Sequence, residues 1–394
     1  MTDELRTSGP VAPRGWSMGT RAATETGGGR LEARLRWGSV GVEAYRHRWD
    51  VETQMAGMHY RPQSSIPGAV NDAVGVYVEG SRRLGAALSF VAGARLDRVS
   101  GTAEGTRADT DLYFAYWGTR SRAGSDTLPS GKLRVEWDAK EGLELAATLG
   151  HATRVAEGNE RYFALRRMGT DWVGNPDLGP ARSTGFEVSA TWRRGGAHFA
   201  ATAFASRVDG FITVVARDTE SPVPGVTNSK ARSWDNVDAA LWGAEANAVV
   251  PLLGRLFLSG DVSWTRGRKD AAPSTGPAEA DLAEMPPLRA RLALRYDDGR
   301  FFGAVEGILS ARQERVDAAL GEEPTPGWGV ANVTLGYRRG RLSLAGGVFN
   351  VFDRLYTEHL SSQRDPFRSG VRVPSPGRSV FVNASARFSA PSDR

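Results

Sequence analysis

Alternation of side chains with a period of two runs through this chain from end to end, and no other feature constrains the fold as strongly. In "LEARLRW" Leu31, Ala33, Leu35 and Trp37 alternate with Glu32, Arg34 and Arg36. "KLRVEWD" sets Leu133, Val135 and Trp137 against Lys132, Arg134, Glu136 and Asp138. "GFEVSATWR" and "PLRARLALRYD" repeat the pattern, with Phe186, Val188, Ala190 and Trp192 in the first and Leu288, Ala290, Leu292, Leu294 and Tyr296 in the second. Successive side chains of a strand point to opposite faces, so each segment has one apolar and one charged face. Helical periodicity is nearly absent.

The connectors alternate as well. Short turns such as "GSVG", "DAKEG", "RGG", "DDGR" and "RRGR" mostly carry Gly or Asp, as tight hairpins require. Between them lie long polar connectors at 50–71, 99–128, 154–182, 216–234, 267–285, 314–326 and 353–377. The spacing predicts roughly sixteen strands, the first a weak one near 17–26. Short and long connectors in strict succession predict an all-β, antiparallel, up-and-down transmembrane β-barrel. A sheet in hydrocarbon must close, because every unpaired backbone group there costs several kcal/mol. A soluble sandwich or propeller also alternates, but accounts less well for the connectors and lacks a fixed-period repeat. The expected organisation is an irregular segment 1–16, a barrel over 17–388 and an extension 389–394.

Composition agrees. The chain has 394 residues with 47 Gly, 11 Trp and no Cys, which excludes a disulfide framework and a thiolate zinc site. Its +5 net charge comes from arginines scattered singly along strands, without the clustered basic runs of a nucleic-acid surface. No window holds the ~18 consecutive apolar residues of a membrane helix. The start, "MTDELRTSGPVAPRGWSMGT", lacks the charged and apolar regions of a secretory signal.

Four stretches together resemble the C-terminal barrel of TonB-dependent outer-membrane receptors: "NVFDRLY" at 350–356, the closing "PGRSVFVNASARF" at 376–388, "ERYFALRRMGTDWVGNPDLGPARSTGFEVS" at 160–189, and "MPPLRARLALRYD" at 285–297. The resemblance implies a barrel of twenty-two strands, of which this sequence reads as the distal two-thirds. It also implies an outer-membrane location, contact with outer-membrane lipid and the barrel assembly machinery, and TonB contact only through a plug. Neither plug nor signal peptide is visible, so a misplaced start, a split gene or a decayed gene is expected. Ala181 stands where the family usually carries Glu, and six residues follow Phe388. The 45–67 and 160–178 stretches look most like the family's copper receptors.

No catalytic motif is present: there is no nucleophile elbow, P-loop or zinc-binding histidine pattern, and the five histidines are scattered. The sequence therefore predicts a non-enzyme without a resident cofactor. Met55, Met58 and His59 bring thioethers and an imidazole into one loop, a set suited to copper, though methionines more often pack a loop base or strand end. Tyr162, Phe163, Arg166, Arg167, Trp172, Asn175 and Asp177 supply aromatic and charged groups suited to gripping a polar ligand. The same loop could instead fold over the barrel mouth and pack on itself. The expected function is the barrel part of a receptor for a metal ion or metal chelate, copper or a siderophore among them. A passive porin-like channel and a soluble β-rich binding protein are the alternatives.

Overall fold

The structure, a computed structural model, describes residues 2–8, 17–56, 62–167, 169–221, 223, 225, 228–270, 280–365 and 368–388. The strands in chain order begin with β1 (Thr2–Ser8), β2 (Ser17–Leu35), β3 (Gly38–Ala56), β4 (Gln63–Leu84), β5 (Leu88–Thr102), β6 (Ala123–Lys140) and β7 (Leu143–Arg154). Two short strands follow, β8 (Ala164–Leu165) and β9 (Asp171–Val173), and then β10 (Ala181–Arg194), β11 (Ala197–Asp218), β12 (Lys230–Leu253) and β13 (Leu256–Lys269). The rest are β14 (Arg289–Asp297), β15 (Phe301–Ser310), β16 (Trp328–Arg339), β17 (Leu342–Phe349), β18 (Ser362–Asp365), β19 (Arg368–Arg372) and β20 (Ser379–Ala386).

The main sheet holds eighteen of these, and two, β8 and β9, belong to a loop. The remaining sixteen form one antiparallel up-and-down meander with β1 and β20 at its edges. Tight turns join β2–β3, β4–β5, β6–β7, β10–β11, β12–β13, β14–β15 and β16–β17, and longer connections separate β5 from β6, β7 from β10, β11 from β12, β13 from β14, β15 from β16 and β17 from β20. The connector expected at 50–71 is largely strand, since β3 runs to Ala56 and β4 starts at Gln63. Two further expectations are corrected. Residues 2–8, placed in an irregular segment, form a strand paired with β2. The weak strand at 17–26 and the "LEARLRW" segment are one strand, because every residue of Ser17–Leu35 pairs with β3 across Gly27–Gly29. Glycines are poor strand formers, but here the β3 partner supplies the ladder.

Register aligns the apolar faces across neighbouring strands. One rung runs Leu31, Val42, Val76, Leu96, and another runs Leu149, Phe186, Ala205, Trp242. These faces stay exposed, with Val305 57%, Leu335 66% and Val380 73% accessible. A continuous outward apolar belt of this kind is what a hydrocarbon solvent requires. The opposite face is charged. Arg291 joins Asp261 at 2.7 Å and Glu306 at 3.1 Å, and Arg95 joins Glu43 at 2.8 Å and Asp97 at 2.6 Å. Two arginines on the charged face of β14 pair with carboxylates. Arg291 does so within the wall, while Arg289 reaches Glu358 in a loop at 3.3 Å.

The closing strand carries one side chain against its pattern. Phe381 faces the charged side and stacks on Phe349 at 5.0 Å and 15°. It fits because Gly347 lies beneath it: a Cβ there would sit 2.6 Å from the ring. Phe388 lies beyond the strand end, 89% exposed. The "NVFDRLY" segment is the turn after β17. Asn350 and Asp353 adopt left-handed φ of 49° and 53°, and Asn350 bonds the backbone of Arg354 in both directions. Short polar side chains tolerate that conformation because they can bond locally.

Candidate functional site

The main buried core does not lie within the wall. It gathers at the long-loop end, where Leu112, Tyr113, Tyr116, Tyr162, Val173 and Leu178 are enclosed. The same cluster takes in Val51, Ile66 and Ala69 of β3 and β4, and Ile212, Val214, Ala231 and Trp234 of β11 and β12. Those strand pairs are separated in the sheet by β5, β6, β7 and β10. Only the concave side can bring them together, so the loops fold across the mouth.

Two loops build this cap. The β5–β6 loop contains α1 (Thr110–Trp117). Its N-cap Asp109 accepts from the Leu112 N–H, and Gly118 closes it in the left-handed conformation at φ 67°, giving its N–H to Phe114 O. Aromatics at 113, 116 and 117 then face the barrel, one helical turn apart. The β7–β10 loop contains α2 (Gly158–Tyr162), begun by a capping box of Glu157 and Glu160, and then β8 and β9. β9 adds in parallel to the start of β12, Asp171 opposite Ala231, which stitches the loop to the wall by backbone bonds.

Side chains lock the two loops together. Tyr113 donates to Tyr162 O at 2.7 Å, Tyr116 donates to Asp171 Oδ2 at 2.8 Å, and Trp117 Nε1 donates to Ser233 Oγ at 2.9 Å. Burial pushes the phenols of Tyr113, Tyr116 and Tyr162 above their ordinary pKa, and for Tyr116 the Asp171 carboxylate adds to it. All three therefore stay neutral donors at any physiological pH.

Each residue singled out in the β7–β10 loop has a place in this lock. Tyr162 donates to Gly101 O at 3.3 Å, and Phe163 packs edge-on to Trp234 at 6.2 Å. Arg166 grips Asp109 with two bonds of 2.7 and 2.8 Å, joining one loop to the other. Arg167 lies over the Trp172 ring at 4.0 Å. Asn175 is buried and gives Nδ2 to Trp234 O at 3.2 Å, while its Oδ1 receives the Asp177 N–H at 3.0 Å. Arg167 and Asp177 remain exposed, and Trp172 half-exposed. The structure thus brings all seven into one cap and adds Asp109, Tyr113, Tyr116, Asp171 and Asn228, all missed by sequence reasoning; Asn228 Nδ2 donates to Asp171 Oδ1 at 2.8 Å. The signal for α1 was there: an Asp cap, aromatics three and four apart, and a Gly stop, set inside a polar connector.

The copper set is less fully seen. Met55 lies at the end of β3, its backbone opposite Met18. Met58 and His59 lie outside the described residues. Among the described residues no three His, Asp or Glu side chains gather as a metal site.

A second locked cluster fills the loops after β13. His359 Nε2 meets Glu322 Oε1 at 3.0 Å and its Nδ1 meets Thr325 Oγ1 at 2.9 Å, all buried. Burial alone would raise the Glu322 carboxyl, but bonds from His359 and from the Asp317 and Glu284 N–H groups hold it below the ordinary value. Lys269, at the end of β13, pairs with buried Asp317 beside it. Ala181, where the resemblance puts the family's usual Glu, is buried among Val208, Ala239 and Leu282.

A model of the family "TonB dependent receptor-like, beta-barrel" matches residues 3–351. Among solved structures, the chain is similar to one titled "Copper transporter OprC", with a TM-score of 0.77 and 26% identity over 94% of this chain and 57% of that one. It also shares the fold of the FrpB iron transporter from Neisseria meningitidis (F3-3 variant), with a TM-score of 0.65 and 15% identity over 94% of this chain and 56% of that one. The ferric yersiniabactin uptake receptor FyuA from Yersinia pestis likewise gives a TM-score of 0.65, with 13% identity over 97% of this chain and 57% of that one. The chain therefore spans little more than half of these structures. No curated protein matches it. A family match over nearly the whole chain, on a meander with this connector pattern, identifies the chain as a member of the TonB-dependent receptor β-barrel family.

Proposed function

We propose that the chain is the barrel portion of an outer-membrane receptor that takes up a scarce metal ion or metal chelate, with copper as the first cargo to test. The observation that carries this reading is the likeness to a structure titled a copper transporter, which covers 94% of the chain. Neighbours titled as iron and ferric-siderophore transporters support the wider class of metal cargo. On this reading the belt of Leu31, Val76, Val305 and Val380 faces lipid, the tight turns face the periplasm and the long loops face outward. Barrel insertion would require the assembly machinery, and energy coupling would require a TonB-contacting plug. Arg167, Trp172 and Asp177 are the members of the cap with surface left for a ligand, and Met55, Met58 and His59 the thioether and imidazole set for copper.

The test has two parts. Chain refolded in dodecyl maltoside should run faster on a gel unheated than boiled and give β-type circular dichroism. Cu(I) titration should then show binding that Met58→Ala and His59→Ala weaken at least tenfold. Unchanged binding removes the copper reading and leaves the chelate reading, which Arg167→Ala and Trp172→Ala would address.

A further inference from the structure

On the outward face of β10–β13 the apolar belt is built from very small residues. Ala190, Ala201, Ala203, Ala244 and Ala246 floor a trough of about 780 Å³, which runs on beneath Ala248 and Gly260 into a second hollow of about 1110 Å³. Larger residues wall it, including Trp137 and Trp264. Exposed apolar hollows on a wall are sites for something to fill.

At the long-loop end the trough narrows to a notch. Ala205 of β11 sits opposite Phe186 of β10 on one side and Trp242 of β12 on the other. Immediately beyond it the outward face changes character. One rung of the sheet runs His151, Thr184, Arg207, Ala240, Arg268 across five strands, about 19 Å at the usual strand spacing. Arg182 and Arg266 flank that rung two residues away on β10 and β13. Arg182, Arg207 and Arg268 are exposed, and the Arg266 guanidinium lies 5.7 Å from the Trp242 ring. Arg207 meets Asp209 and Asp238, whereas among the described residues Arg182 and Arg268 form no ion pair within 4 Å, although Asp209 and Asp281 stand opposite them in register. The contrast with β14–β17 is sharp. On β14–β17 the outward positions at the long-loop end are Ala290, Leu309, Gly329 and Val348, with no charge.

We propose that this face is a binding site for an outer-leaflet lipid with a phosphorylated headgroup. Its acyl chains lie in the alanine trough, pass the Ala205 notch, and place the headgroup phosphates on Arg182, Arg207 and Arg268. Guanidinium forks match phosphate oxygens, and cations at the edge of an apolar belt select anionic lipid. The trough fixes the occupant as a lipid and not a free anion, because its walls offer almost no polar partner. The inference rests on the membrane reading above.

The test uses the full chain in dodecyl maltoside with diphosphoryl lipid A as probe, after heat-modifiable gel mobility has established that wild type and variants form the barrel. Binding should fall about tenfold or more in the Arg182→Gln/Arg268→Gln double variant, as the loss of two interfacial cations predicts. Filling the trough with Ala203→Phe should weaken it independently, and dephosphorylated lipid A should bind the wild type as weakly as diphosphoryl lipid A binds the double variant. Equal binding by wild type and both variants overturns the site. Displacement by inorganic phosphate alone, with Ala203→Phe indifferent, overturns it in favour of a plain anion patch. Failure of the wild type to form a barrel would remove the membrane reading itself, and the site with it.

Discussion

Along the wall, Leu292, Val305, Leu335 and Val380 hold apolar side chains exposed, whereas in the mouth Leu112, Tyr113, Tyr116 and Tyr162 are withdrawn entirely. The two regions follow opposite burial rules within one chain. The wall is an ordered array of backbone bonds whose outward side chains are apolar and exposed, as a hydrocarbon solvent would require. The mouth is a small water-soluble core, made of aromatic side chains whose polar tips are each given a partner. Wall stability therefore depends on the surrounding medium, and cap stability on packing.

Substitutions should separate the two. Tyr113→Ala removes a fully buried ring and leaves Tyr162 O without its donor, so a loss of about 3–5 kcal/mol confined to the cap is expected. Limited proteolysis should then cut at 103–122 and 155–180 while heat-modifiability persists. Loss of the barrel itself would show the cap and wall to be one cooperative unit. Val305→Arg does the reverse, costing about 2–4 kcal/mol in a bilayer and little in the cap. Unfolding in lipid vesicles, compared with cap proteolysis, reads the difference. Arg166→Ala should cost about 1 kcal/mol, since both partners are partly exposed, and should appear only as faster exchange of α1 amides.

Acidification should act least, through the loops after β13. The Glu322 carboxyl is held below its ordinary range, so its contribution is complete above that range and is lost as pH falls through the depressed value. Proteolysis of the 311–327 loop should rise on that side and stay flat towards neutral pH. A rise between pH 6 and 8 instead would point away from Glu322.

The wall was legible because its rule is local. A period of two and the succession of short and long connectors predicted the meander, although β1 was not among the strands expected and two of those expected are one. The exception at Phe381 was visible in the closing strand's own alternation. Its cause was not, since Gly347 and Phe349 lie in another strand. The join of 17–26 to 31–35 was missed because Gly27–Gly29 read as a break, while the pairing that overrides it comes from β3. The cap was nearly illegible for the same reason. Tyr113 and Tyr162, or Arg166 and Asp109, meet across about fifty residues, and nothing local announces which polar connector will pack on which. Naming 162–177 as a group found one half of the cap and left α1 unnoticed.

The cap also has a mechanical meaning. It fastens β3 and β4 to β11 and β12 over the four strands between them, as a chord fastens two points of an arch. Bending is the softest motion of a long sheet, and an arch with a fixed chord cannot open or flatten there. The bore beneath the loops is thus set by how tightly Tyr113, Tyr116 and Trp117 hold the far side. Releasing that tie would let the wall spread, so a change at the outer rim would be felt as a change of width along the lumen.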